Sequence, residues 1–178
     1  MIKKYYKKIS CSEKGYSILE VIISLGIITL GLVGVLSLVI QNVRAQYVDK
    51  NNIIASMLAQ EGLELVRNIR DSNRLSSLAW KDGVSDGNGT TKIFKVDYTG
   101  KSSISDITGI LNGRLYVNAS GFYSNGSTGT ATPFYRMITV IDNTDYLEVR
   151  CLVRHANGAN VTDYEARTLL YNWLPSAP

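Results

Sequence analysis

The sequence predicts an α+β protein in which one long N-terminal helix packs on an antiparallel β-meander. A run of twenty uncharged, mostly apolar residues begins the helix, and an amphipathic pattern continues it. The distal half instead alternates between apolar and polar residues, with turn-forming residues between the alternating stretches. These two periodicities distinguish helices from strands, and a helix with one apolar stripe can cover one apolar face of a sheet.

The apolar run spans residues 21–40, where leucine, isoleucine and valine predominate. As a helix, twenty residues extend about 30 Å, which is the thickness of a bilayer core. A helix in the core of a soluble protein is rarely apolar on every face over this length. We therefore predict a membrane-spanning segment, residues 16–40 in all.

Positive charge is concentrated before this run. Residues 1–15 hold five lysines and one glutamate and so account for the whole formal net charge of +4, while the remaining 163 residues are neutral overall. Because lysines keep their flank of a membrane segment in the cytoplasm, we expect a cytoplasmic N-terminus and a globular domain on the other side. Composition shows no basic face for phosphates, so no nucleic acid partner is predicted.

The N-terminal region differs from the usual removable signals. The apolar core of a secretory signal is about 7–15 residues long and precedes small residues at a cleavage site. Here the run is longer, and Val43-Arg44-Ala45 introduces a bulky charge at the corresponding place. Cys11 has no apolar segment before it, which argues against a lipoprotein signal. We expect the apolar helix to remain attached to the chain.

Glu20 is the one charge at the start of the helix. A carboxylate near the end of a membrane helix costs about 2–3 kcal/mol on insertion scales, and such residues usually mark function. The stretch from Gly15 to Val21, GYSILEV, follows a short basic leader. It resembles the class III signal of type IV prepilins and type II secretion pseudopilins, in which a leader ending in glycine precedes an aromatic residue and, four residues later, a glutamate. Tyr16 stands where phenylalanine is usual.

The resemblance implies a type IV pilin-like fold and a processing step. A prepilin peptidase would remove the basic leader, residues 1–15, by cutting between Gly15 and Tyr16, and the new amino group of Tyr16 would be methylated. Glu20 would then attract the N-terminal ammonium of an incoming subunit, since opposite charges attract strongly in an apolar medium. This attraction would set the axial register of the filament.

The resemblance also implies partners and a location. The partners are other pilin subunits, the prepilin peptidase, an assembly platform in the membrane and, before assembly, the lipid bilayer. The location is the cytoplasmic (inner) membrane, as a single-pass protein, and afterwards the pilus or cell surface.

Three functions remain open within this interpretation. The chain is most similar to the PilV and pseudopilin I minor subunits, because Gly31-Leu32-Val33-Gly34 lies downstream and the helix has no proline. A minor pilin, with roles such as cell adhesion, is therefore the first expectation. A minor pseudopilin of type II secretion is the alternative, and so is an unprocessed membrane anchor that displays a β-rich binding domain.

Residues 41–75 are predicted to extend the helix as an amphipathic segment. We expect the helix to run from about Ser17 to Arg70, with Asp71 at the beginning of its exit. The apolar stripe expected to carry the globular domain, residues 76–178, comprises Ile40, Val43, Tyr47, Ile54, Met57 or Leu58, Leu65 and Ile69.

Residues 76–89 are dense in turn-forming residues and are predicted to be a loop. Asp82, Asp86 and Asn88 are candidate oxygen ligands for calcium. Their spacing is not that of an EF-hand, which also needs a closing glutamate. We therefore predict turns without a metal ion.

Alternation predicts six strands, at residues 92–98, 114–117, 121–123, 134–141, 146–154 and 164–173. In the fifth of these, Leu147, Val149, Cys151 and Val153 share one face, which should pack on the helix. Two distal stretches are also loosely similar to minor pilins. They are Arg136 to Val140 together with the strand that follows, and the stretch from Leu169 to Trp173.

No catalytic motif is found. His155 is the single histidine, which excludes histidine-based triads and multi-histidine metal sites, and we expect it at the surface or in a turn. Cys151 is expected to be a small buried residue. The chain has neither a P-loop nor a dinucleotide-binding glycine pattern. The sequence predicts a protein that is not an enzyme and needs no cofactor.

Overall fold

The computed structural model describes residues 15–158 and 160–173. Residues 1–14, which form almost all of the predicted leader and include Cys11, lie outside the described residues. The chain divides into two compact units, residues 1–47 and 48–178. Helix α1 spans Ile18–Leu75. The strands are β1 Thr91–Lys95, β2 Ser105–Asp106, β3 Arg114–Val117, β4 Tyr123–Ser124, β5 Thr130–Asp142, β6 Tyr146–Asn157 and β7 Asn160–Tyr171.

The fold is α+β, as predicted, with the second half of α1 packed on an antiparallel sheet. Helix α1 continues past the expected end at Arg70 because its last turn is held by the loop that follows. The side chain of Asn73 is buried, and its Nδ2 donates to the carbonyl of Asp82 at 2.8 Å. Ser77 has a positive φ of 58°, which turns the chain away from the helix axis.

The packed face of α1 differs from the predicted stripe. Its buried residues are Asn51, Ala55, Leu58, Ala59, Gly62, Val66, Ile69, Arg70 and Asn73. The prediction is confirmed for Leu58 and Ile69, which are buried, and for Ile54 and Leu65, which pack against the core. It is wrong for Ile40, Val43 and Tyr47, which are exposed. The buried residues that the prediction missed include small ones, because the helix packs closely on the sheet: a Cβ added to Gly62 would lie 2.4 Å from Cys151 Sγ. Small residues form the contact, and a search for large apolar residues misses them.

Strand β5 is the centre of the sheet. On one edge it pairs with β6 over residues 134–142, and β6 pairs in turn with β7. On the opposite edge it pairs with both β1 and β3, whose short partners are β2 and β4. The predicted meander is correct for β5, β6 and β7. For the earlier strands the sequence predicts no order, and the structure pairs β1 and β3 with β5 and not with each other.

The core lies between α1 and one face of this sheet. Leu147, Val149, Cys151 and Val153 are all fully buried, which confirms the predicted inward face of β6. Across from them, β5 contributes Phe134, Ile138 and Val140, and the neighbouring strands contribute Phe94, Leu115 and Leu170. In β7 only Leu170 is buried, so this strand forms an exposed edge.

Arg136 is a charged residue inside this core, with its side chain 1% exposed. Its guanidinium donates to the carbonyl of Leu58 at 3.3 Å and to that of Val96 at 2.8 Å, and Nη1 lies 3.3 Å from Glu61 Oε2. A buried charge is tolerated only when it is paired and hydrogen-bonded. Arg136 thereby joins α1, β5 and the end of β1.

Candidate processing site and the surroundings of other predicted residues

The predicted cleavage site lies in non-helical chain before α1. Gly15, Tyr16 and Ser17 are exposed and belong to neither helix nor strand. The carbonyl of Ser17 accepts hydrogen bonds from the backbone N–H groups of Glu20, at 3.0 Å, and Val21, at 3.2 Å. The first helical turn therefore closes just after the Gly15–Tyr16 bond, which leaves that bond accessible.

Gly15 is not required by the packing of the described chain. A Cβ added at this position would have no heavy atom within 4 Å, and its φ is outside the left-handed region. A larger residue here would therefore meet no steric obstacle within the described structure. Any strict need for glycine at position 15 must arise from another molecule that approaches the backbone.

Glu20 lies in the first turn of α1 and is exposed. Among the described residues its carboxylate has no hydrogen-bond or ion-pair partner. Ser24 Oγ donates to the carbonyl of Glu20 at 2.8 Å, and Thr29 Oγ1 donates to that of Gly26 at 2.9 Å. The hydroxyls of Ser24 and Thr29 therefore donate to backbone carbonyls of their own helix. In the first turn, the Glu20 carboxylate is the one charged group, and it is available to a partner from another molecule.

The helix from Val21 to Ile40 presents apolar side chains in every direction. All of its residues are exposed, and so are its three glycines, whose added Cβ atoms would meet nothing within 4 Å. Helix α1 is the one helix among the described residues that is long and apolar enough to cross a membrane. Exposed apolar surface of this extent must be covered by lipid or by protein.

The candidate calcium ligands are engaged with lysines. Asp82 pairs with Lys101, Asp86 Oδ1 lies 2.7 Å from Lys92 Nζ, and Asn88 Oδ1 accepts from Lys81 Nζ at 3.1 Å. Each oxygen ligand thus faces a different cation. In the part of the chain that the structure describes, no three His, Cys, Asp or Glu side chains are placed to hold a metal ion.

The surface position expected for His155 is wrong. This residue lies within β6 and is buried, and its ring stacks on Phe134 with 5.1 Å between centroids. Strand β6 extends three residues beyond its predicted end, and the alternation that buries Val153 also turns His155 inward. Its Nε2 has no hydrogen-bond partner among the described residues.

Cys151 is buried, as predicted, and is a free thiol. Burial, together with the charge of Glu61, raises its pKa to about 12, although the charge of Arg136 opposes the shift. Because the thiolate is the reactive form, this cysteine is inert near neutral pH. Its role is to fill the space opposite Gly62.

One cavity of about 210 Å³ lies beside α1, lined by Ile54, Met57, Leu58, Glu61 and Tyr123. It is mainly apolar, and the Glu61 carboxylate at its wall is engaged by Arg136. Burial raises the pKa of Tyr123, and the charge of Glu61 adds to this effect.

Comparison of the chain with family models, with curated proteins and with solved structures finds no match.

Proposed function

We propose that this protein is a structural subunit of a type IV pilus or a related filament, made as a membrane-inserted precursor and cleaved after Gly15. The observation that carries the proposal is the order of three features at the start of the chain. An accessible Gly15–Tyr16 bond precedes α1, Glu20 in the first turn has no partner among the described residues, and a fully exposed apolar helix follows.

Processing fits the local geometry. Hydrolysis after Gly15 would make Tyr16 the first residue of the mature chain. Its amino group would then lie just before α1, which begins at Ile18. Four residues then separate this amino group from Glu20. An isolated carboxylate in an apolar medium is costly, and pairing with an ammonium offsets that cost. Because Glu20 has no partner among the described residues, the ammonium of a second subunit is a suitable one.

The apolar helix would serve in two environments. In the precursor it spans the bilayer, whose core it matches at about 30 Å. In a filament, the same side chains pack on the helices of neighbouring subunits. The second half of α1 is instead used within the subunit, where small residues and Arg136 join it to the sheet.

The test is the mass of the protein extracted from membranes of cells that contain a prepilin peptidase. We expect the loss of residues 1–15 and the gain of one methyl group on Tyr16. Gly15→Leu should give an unprocessed precursor, because a side chain at this position blocks the approach of the peptidase. Gly26→Leu is a matched control, since Gly26 also has open surroundings, and it should be cleaved as in the wild type.

Each outcome decides between the candidate functions. Full-length protein in cells with active peptidase would contradict the proposal and favour an unprocessed membrane anchor. Equal cleavage of Gly15→Leu and the wild type would contradict the role of Gly15. Mature protein in filaments sheared from the cell surface would identify a pilus, whereas mature protein confined to the cell envelope would identify a secretion pseudopilus.

A further inference from the structure

Two aromatic rings are held together at the surface of the globular unit. Tyr98 follows β1, and Phe122 precedes β4. Their ring centroids are 5.4 Å apart with an interplanar angle of 34°, and the two residues are 50% and 57% exposed. Aromatic rings normally contribute to a fold by burial. A stacked pair that remains half in water contributes little to the core.

Asn118 fixes both rings. Its Nδ2 lies 3.1 Å from the Tyr98 hydroxyl, and its Oδ1 accepts from the backbone N–H groups of Ser120 and Phe122, each at 2.9 Å. The Asn118 N–H also donates to the carbonyl of Phe122 at 3.0 Å. Gly121, with a φ of 83°, allows this tight loop. One side chain therefore sets the Phe122 loop and contacts the Tyr98 hydroxyl.

Asp97 is a second tether, which joins the Tyr98 loop to the turn after β4. This carboxylate is buried, and its Oδ1 accepts from the N–H of Thr99 at 3.0 Å and from Thr99 Oγ1 at 2.7 Å. Its Oδ2 accepts from the N–H of Asn125 at 3.1 Å. Asp97 thus holds the Tyr98 loop against the turn after β4, while Asn118 holds the Phe122 loop and contacts the Tyr98 hydroxyl. Hydrogen bonds on both sides of β4 therefore fix the positions of the two rings.

On the Phe122 side of the pair the chain is uncharged and rich in hydrogen-bonding groups. Residues 118–135 contain no charged side chain but several serines, threonines and asparagines. The faces of aromatic rings carry partial negative charge and attract weakly positive C–H groups. Hydroxyl and amide side chains both donate and accept hydrogen bonds.

We propose that Tyr98 and Phe122 form a binding platform for a neutral saccharide. A pyranose ring offers C–H groups on its face, which suit the exposed rings, and hydroxyls at its rim, which suit the Tyr98 hydroxyl and the neighbouring polar side chains. A phosphate or nucleic acid ligand would need a cluster of cations. Residues 118–135 have none, and on the Tyr98 side Lys92 pairs with Asp86 and Lys101 with Asp82, so no such cluster is formed there. A lipid surface would need flanking aliphatic residues, and the stretch between the rings and β5 is mostly polar.

The test is binding of neutral oligosaccharides of glucose, galactose and N-acetylhexosamines to the full-length protein in detergent micelles. Saturation-transfer NMR reports which sugar protons contact the protein. We expect at least one of these sugars to bind, and Phe122→Ala or Tyr98→Ala to weaken binding about three- to tenfold, as expected for the loss of one aromatic contact. Thermal unfolding checks that each variant is folded.

Tyr171→Ala is the matched control. Tyr171 is 52% exposed and also stacks on a second ring, that of Tyr146, with centroids 5.5 Å apart. Its removal should leave saccharide binding unchanged. The proposal is overturned if none of these neutral sugars binds the wild type, or if the Tyr171 variant loses as much affinity as the Phe122 variant. This result is independent of processing and filament assembly, so it leaves the proposed function untouched.

Discussion

Asp142 shows how one buried carboxylate joins the loop after α1 to the sheet. It lies at the end of β5, with its side chain fully buried. Lys81 Nζ lies 2.5 Å from its Oδ1, and Ser85 Oγ donates to its Oδ2 at 2.6 Å. The backbone N–H of Thr144 donates to the same carboxylate at 2.9 Å. Two segments that are distant in sequence, the loop of Lys81 and Ser85 and the turn after β5, therefore meet at one side chain.

These contacts make the stability of the globular unit dependent on pH. Burial alone raises the pKa of Asp142, but the hydrogen bonds from Lys81, Ser85 and Thr144 and the charge of Lys81 lower it more, so the pKa lies below its ordinary value. A depressed folded-state pKa stabilises the protein above the unfolded pKa, about 3.9. That stabilisation is lost as the pH falls through the folded pKa.

We predict that Asp142→Asn lowers the free energy of unfolding at pH 7 by about 1–3 kcal/mol, the usual cost of losing hydrogen bonds to a charged group. The difference between variant and wild type should shrink as the pH falls below about 4. Denaturant unfolding in detergent at pH 7 and pH 3 measures both effects. A difference of the same size at the two pH values would contradict this role of the carboxylate.

At the scale of elements, the contact between α1 and β6 depends on the absence of a side chain. A Cβ at Gly62 would lie 2.4 Å from Cys151 Sγ and 3.3 Å from Arg136 Cδ. Both neighbours are buried, so neither can move aside into solvent. The helix would have to shift away from the sheet.

We therefore predict that Gly62→Ala destabilises the globular unit by about 1–3 kcal/mol through overpacking, although alanine is the better helix former. Gly31→Ala is the control, because an added Cβ at Gly31 meets nothing within 4 Å, and it should leave the midpoint of thermal unfolding unchanged. Adding Cys151→Ala to the Gly62 variant removes Sγ and should restore part of the stability. No effect of Gly62→Ala alone would show that the interface adapts.

Strand β7 is an exposed edge strand whose charged side chains disfavour pairing with strands of other molecules. Among the described strands it pairs only with β6, over all twelve of its residues. A long regular edge strand is a template for unwanted strand pairing. Asp163, Glu165 and Arg167 lie on its exposed face, and Arg154 holds Asp163 through two hydrogen bonds of 2.7 Å. These charges make pairing with another apolar strand unfavourable.

For the whole molecule, the proposed assembly depends on Glu20. We predict that Glu20→Ala is cleaved and methylated like the wild type, since Glu20 lies beyond the cleaved bond and makes no side-chain contact with the described residues. Its incorporation into filaments should be impaired, because the register-setting ion pair is lost. The ratio of variant to wild-type subunit in sheared filaments measures this effect. Incorporation at wild-type levels would refute the role of the carboxylate in assembly.

Much of the fold could be predicted from periodicity. The apolar helix, the inward face of β6 and the strands β3, β5 and β6 follow from residue spacing alone, because helices and strands repeat with different periods. The packed face of α1 follows from periodicity only in part: Leu58 and Ile69 are buried as predicted, whereas Ala55, Ala59 and Gly62 carry no strong apolar signal. His155 was misplaced because β6 continues past its predicted end at Arg154.

The sequence by itself determined the candidate site and a helix long and apolar enough to cross a membrane, because Gly15, Tyr16, Glu20 and the apolar run are neighbours along the chain. Only the tertiary structure decided that β1 and β3 share one edge of β5, that Arg136 is buried beneath α1, and that Tyr98 meets Phe122. These contacts join residues far apart in sequence. Their formation depends on how closely the helix approaches the sheet and on which strands β5 can pair with, and neither is encoded in local periodicity.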